Sequence, residues 1–190
     1  GEQFFRIIRD AHPDVPVISM ITRLVSQKGI DLVAAVIEDI LKMNVQLIVL
    51  GTGDHDYQDF FEYYASSYPG KIASFIKFDD ALASKIYAGS DMFLMPSLFE
   101  PCGLSQIIAM SYGTLPIVRE TGGLSDTVIP YNEFTGEGNG FSFTNYNAND
   151  MLNVMEYAVN CFKDKKNWAK LVKTAMRTKF GWKTQAEEYL

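Results

Sequence analysis

Five short segments of this 190-residue chain carry residues whose types and spacing suit a charged ligand. In the run Thr22-Arg23-Leu24-Val25-Ser26-Gln27-Lys28-Gly29, an arginine and a lysine stand five residues apart. Arginine offers a planar fork of donors and lysine a mobile point charge, a combination suited to a diphosphate. The same pair reads equally well as two surface cations on a solvated loop. A second run, Ser97-Leu98-Phe99-Glu100-Pro101-Cys102-Gly103-Leu104-Ser105, places a carboxylate just ahead of a helix start. The amides of Gly103, Leu104 and Ser105 would open that helix without intrahelical acceptors and form an anion site, and Gly103 would let a phosphate approach the backbone. Glu100 on its own reads as an ordinary helix-start carboxylate. In Arg119-Glu120-Thr121-Gly122-Gly123-Leu124-Ser125-Asp126, two glycines free backbone amides, while Asp126 reads as structural. Gly51-Thr52-Gly53 lacks the third glycine and the helix context of a dinucleotide fingerprint, so NAD is not read from it. Phe78 could stack on a nucleobase, although a lone aromatic is more often core.

To act together, these segments must be delivered to one place by regular elements. Apolar runs at Val17–Thr22, Gln46–Leu50, Ile72–Phe78, Asp91–Met95, Leu115–Val118 and Gly140–Phe143 read as strands. Val33, Val36, Ile37, Ile40 and Leu41 recur at helical spacing and predict a helix over Ile30–Leu41. Further helices are expected over His55–Ser67, Asp80–Ala88, Leu104–Ser111, Asp150–Phe162 and Lys165–Thr178. Alternating strands and helices, with near-continuous apolar strands, predict an α/β fold: a doubly wound, Rossmann-like parallel sheet covered on both faces. In such sheets ligands bind beyond the carboxyl ends of the strands, where all five segments fall.

Composition narrows the function classes. Hydrophobic residues make up 47% and charged residues 21%, as in ordinary globular domains, and the length suits one domain over residues 1–190. A formal charge of −6 offers no basic footprint for nucleic acid or an anionic membrane. Cys102 and Cys161 are far apart, which argues against a disulfide framework and against zinc. Apolar runs are too short to span a bilayer, and Gly1–Arg6 has no signal pattern, so a reducing cytoplasm is the expected compartment.

In order, Arg23-x4-Lys28-Gly29, Leu50-Gly-Thr-Gly-Asp54, Pro96-Ser97-Leu-Phe-Glu100-Pro-Cys-Gly-Leu104, Tyr112-Gly-Thr-Leu-Pro116 and Thr121-Gly-Gly-Leu-Ser-Asp-Thr-Val128 closely match one family. From about Val17 onward, the chain resembles the C-terminal domain of bacterial glycogen synthases and plant starch synthases. That resemblance implies a GT-B glycosyltransferase, in which two Rossmann-like domains face each other and glucose passes from ADP-glucose to an α-1,4-glucan with retention. It implies that Arg23 and Lys28 hold the donor diphosphate and stabilise leaving ADP, and that Glu100 contacts the donor glucose. It assigns Gly51, Gly53, Cys102, Gly103, Leu104, Ser105, Gly122 and Gly123 to the nucleotide-sugar site and Phe78 to the adenine. It calls for no metal and no cofactor. Ile108 stands where many retaining GT-B relatives carry a second, ribose-binding glutamate, which favours the glycogen synthase branch. The family's glucan-binding surface lies in an N-terminal domain absent here, and a helix near Leu190 is expected to return toward it. The chain is therefore expected to bind ADP without turning over. A UDP-glucose enzyme, another acceptor, or a non-catalytic nucleotide-binding module are the alternatives.

Overall fold

The computed structural model describes residues 14–180. The readings at Gly1–Arg6 and near Leu190 lie outside the described residues. Six parallel strands form one sheet: β1 (Val17–Ile21), β2 (Gln46–Leu50), β3 (Ile72–Phe75), β4 (Met92–Met95), β5 (Leu115–Arg119) and β6 (Phe141–Phe143). Their order is β3-β2-β1-β4-β5-β6, so the described strands run from β1 in the middle to the β3 edge and then return to build the other half. The direction of winding reverses between β1 and β4, which pair through Ile18↔Met92 and Ser19↔Phe93. At such a reversal, the loops leaving two adjacent strands diverge and open a crevice.

Eight helices lie in the described part: α1 (Ile30–Ala35), α2 (Ile37–Lys42), α3 (His55–Ser67), α4 (Asp80–Gly89), α5 (Ser105–Ser111), α6 (Gly123–Thr127), α7 (Ala148–Lys163) and α8 (Lys165–Arg177). Alternate strand residues feed opposite faces, as a period of two demands. Ile18, Met20, Leu47 and Val49 join the larger core with residues of α1, α2, α7 and α8. Val17, Ile48 and Leu50 point the other way, onto Leu82 and Ile86 of α4. All five β2 residues are buried, which explains a strand with no polar alternation. Side-chain caps mark three helix starts. Asp79 accepts from the Leu82 amide, Asn147 from those of Asn149 and Asp150, and Asp164 from that of Asn167.

The elements differ from expectation in a few places. The strand expected over Ile72–Phe78 stops at Phe75, because its partner β2 ends at Leu50 and Leu50 pairs with Phe75. Beyond that point no ladder partner remains, and Phe78 lies on a loop. The helix expected over Ile30–Leu41 breaks at Val36, whose φ of −125° leaves the helical region. The two residues at the break, Val36 and Ile37, are both buried and β-branched, a type with lowered helix propensity. Helix α7 begins before Asp150 because the Asn147 cap sets its start. Gly123–Thr127, after the two glycines, forms a further short helix.

Candidate functional site

Two recesses adjoin at the carboxyl end of β1, sharing Ile21 and Thr22 as a common wall. The smaller, about 40 Å³, sits at the β1–β4 reversal and is lined by Lys28, Ser97, Glu100 and Ser105. Lys28 ends a 3-10 turn, Ser26–Lys28, whose last amide bonds pass the chain to Gly29. Gly29 has a φ of 77°, and any side chain there would strike the Pro96 carbonyl. A glycine is thus required for the loop after β1 to lie directly against the loop after β4. The Leu98 amide fastens the two by donating to the Gln27 carbonyl at 2.9 Å.

That apposition brings together groups 72 residues apart. Lys28 Nζ donates to Glu100 Oε2 at 2.7 Å, with the two side chains only 19% and 13% exposed. The buried Ser97 hydroxyl donates to the same oxygen at 3.2 Å. A cation and a carboxylate so placed can face a ligand that is anionic at one end and hydroxylated at the other. Ammonium binds phosphate oxygens, and a carboxylate accepts from sugar hydroxyls. Helix α5 begins at Ser105, so its first amides lack helical acceptors beside this recess.

The larger neighbour, about 220 Å³, is lined by Arg23, Gly51, Thr52, Phe78 and Asp79 together with the shared wall. Phe78 is 85% exposed and stands as a ring on the rim, not as core. Arg23 is exposed and forms no ion pair among the described residues. Lys77 Nζ meets Asp79 Oδ2 at 2.7 Å. That ammonium first, and the Leu82 amide second, hold the Asp79 carboxyl below the usual aspartate range.

The remaining expected site residues sit around these recesses without lining them. Gly53 bridges to Leu24, extending the ladder between the β1 and β2 loops. Gly122, at φ 49°, lies against the Glu100 carbonyl, and the Gly123 amide donates to that carbonyl at 3.1 Å. These two glycines let the loop after β5 clasp the loop that carries Glu100. Cys102 is exposed, and Leu104 is 52% exposed. Gly103 is buried, and its carbonyl accepts from Gln106 Nε2 at 2.6 Å. Thr22 and Ser97 were not singled out by type; their place after β1 and β4 was the available signal. Asp54-His55-Asp56 opens α3, and among the described residues no group of three His, Cys, Asp or Glu could hold a metal. A further recess, about 540 Å³ between α7, α8 and Tyr131–Phe134, shares no lining residue with this site.

A doubly wound sheet with a cation–carboxylate pair at its switch point and an aromatic rim beside it suits a ligand that carries both anionic oxygens and a planar ring. The family model of glycosyl transferases group 1 matches residues 2–174, and the chain belongs to that family. Among curated proteins, it is 57% identical over 176 residues to a glycogen synthase of Clostridioides difficile (strain 630), covering 93% of this chain and 37% of that protein. A glycogen synthase of Bacillus cereus (strain B4264) is also 57% identical, with the same coverage. The solved catalytic domain of starch synthase IV from Arabidopsis thaliana, bound to ADP and acarbose, aligns with a TM-score of 0.87 and 35% identity, over 99% of this chain and 41% of that one. The chain thus spans 37% of the length of these two curated relatives. Among the described residues, no helix is long and apolar enough to cross a membrane.

Proposed function

We propose that this chain is the nucleotide-sugar-binding, C-terminal domain of a retaining glucosyltransferase that moves glucose from ADP-glucose to the nonreducing end of an α-1,4-glucan. The observation that carries the reading is the pair of joined recesses at β1: Phe78 and Arg23 around one, Lys28 and Glu100 in the other. Adenosine would occupy the larger recess with its base on Phe78. The diphosphate would cross the shared Thr22 wall toward Arg23, Lys28 and the α5 amides, and the glucose would meet Glu100. Gly51 would border the nucleoside; Gly53, Cys102, Gly103, Leu104, Gly122 and Gly123 would shape the loops that enclose it. The relatives named glycogen synthase, and the starch synthase structure that holds ADP, support the choice of donor and acceptor.

Chemically, breaking the bond between glucose and ADP leaves negative charge on the diphosphate and positive character on the sugar ring. Cations bound to the leaving group grip it more tightly as that charge grows, which lowers the barrier. Removing one such donor typically costs about 10²–10³ in rate. Lys28 and Arg23 are assigned that task, with Glu100 orienting the glucose. The glucan would be held by sequence beyond this chain, so this stretch binds donor without turning over. A cytoplasmic location belongs to the same proposal, compatible with the free thiols of Cys102 and Cys161.

Calorimetric titration with ADP and with UDP tests the donor. ADP is expected to bind at least several-fold more tightly, and equal or stronger binding of UDP would overturn the ADP assignment. Incorporation of labelled glucose into glycogen by this chain alone would overturn the division of labour.

A further inference from the structure

Two side chains outside both recesses tie together the two loops that wall the smaller one. Tyr146, on the loop after β6, donates its hydroxyl to Asp31 Oδ1 at 2.6 Å and lies 3.1 Å from the Ser26 carbonyl. Asp31 sits in the first turn of α1, and Ser26 opens the 3-10 turn that ends at Lys28. Arg119, at the end of β5, lies over the Tyr146 ring with its guanidinium carbon 5.5 Å from the ring centre. Its Nη1 donates to the Leu98 carbonyl at 2.7 Å, two residues before Glu100. The Leu98 amide in turn donates to Gln27. The contacts close a circuit: Tyr146 holds the turn of Lys28, Arg119 holds the loop of Glu100, and the ring and guanidinium hold each other.

From this circuit we infer that Arg119 and Tyr146 are positioning residues that set where Lys28 meets the diphosphate. The inference rests on the donor site proposed above. An ammonium on a four-carbon stem has many rotamers, and its grip on a phosphate depends on where the backbone places that stem. Neither side chain touches the recesses, so neither is assigned contact with the ligand. Burial first, then the bond to Asp31, push the Tyr146 phenol above its usual range, so it stays a donor at neutral pH. A guanidinium over a ring face is itself attractive, so the brace needs no further partner.

The test is a double-mutant cycle read by ADP affinity. Tyr146→Phe keeps the ring beneath Arg119 and deletes only the hydroxyl. It is expected to weaken ADP about fivefold, the scale of one hydrogen bond, while leaving adenosine affinity unchanged. In a Lys28→Ala background, the same change is expected to have no effect on ADP, because the group it positions is gone. Arg119→Met is expected to follow the same pattern, with Arg119→Lys restoring part of the loss. A general structural role would weaken ADP equally in both backgrounds, or weaken adenosine as much as ADP, and either result overturns the inference. If Lys28→Ala weakens ADP and Tyr146→Phe does not, the brace falls and the donor site stands. If the unaltered chain binds no ADP, both fall together.

Discussion

Lys28→Ala separates what the Lys28–Glu100 pair does for the fold from what it does for a ligand. Breaking a fully buried ion pair costs about 3–5 kcal/mol, because the abandoned charge is left without a partner. Here the two side chains keep 19% and 13% exposure, and Ser97 still donates to the carboxylate. Water and that hydroxyl offset part of the loss, and about 1–2 kcal/mol is the expected cost. For a chain of this size that lowers the melting midpoint by about 2–8 °C. Adding Glu100→Gln removes the orphaned charge and is expected to recover at least half of the shift. Affinity for ADP responds differently. Losing a charge-assisted bond to phosphate weakens binding about 10- to 100-fold, and the second substitution does not bring it back. Thermal melts of the unaltered chain, Lys28→Ala and the double variant, with and without ADP, measure both quantities. Undiminished ADP affinity in Lys28→Ala, at any stability, refutes the claim that this ammonium reads the diphosphate.

Phe78→Ala is expected to leave the unfolding midpoint unchanged, since the ring is 85% exposed. ADP should weaken about 5- to 150-fold through loss of ~1–3 kcal/mol of base stacking, and unchanged calorimetry would remove Phe78 from the site. Gly29→Ala forces a side chain into a left-handed residue facing the Pro96 carbonyl. The backbone term alone costs about 1–2 kcal/mol, so the denaturation midpoint should fall clearly; an unshifted midpoint refutes the loop contact. Asp79 caps α4 and pairs with Lys77, with its folded carboxyl held below the ordinary aspartate range. Its stabilisation is therefore present above the unfolded-state value and lost as pH falls through the lower folded value. The melting-point gap between the unaltered chain and Asp79→Ala should thus be wide at neutral pH and close in acid; a gap independent of pH contradicts this.

Much of the scaffold was readable from apolar runs. β2 is buried at all five positions, so Gln46–Leu50 announces a two-sided parallel strand without any alternation to confuse it. Where β3 stops was not readable, because the length of its neighbour decides it. Ile76 to Phe78 look like more strand until Leu50 is seen to be the last rung. Lys28 and Glu100 were both visible as chemistry, and their place after β1 and β4 aimed them at one crevice. Their direct bond depends on Gly29 closing onto Pro96, a contact across 67 residues that spacing does not encode. The glycines of the 119–126 segment read as phosphate amides, and their close approach to the Glu100–Cys102 backbone, with the Gly123 amide donating to the Glu100 carbonyl, is a loop contact that spacing does not encode. Tyr146 gave no signal, since an aromatic after a strand is as often packing as bracing.

The central claim is that one ligand bridges the two recesses, with its phosphates at Lys28 and its base at Phe78. A crystal structure of the chain with ADP tests this most directly. The account predicts a phosphate oxygen within about 3 Å of Lys28 Nζ and the adenine lying against the Phe78 ring. ADP bound with its phosphates away from Lys28, or seated in the groove between Tyr131 and Trp168, would contradict it.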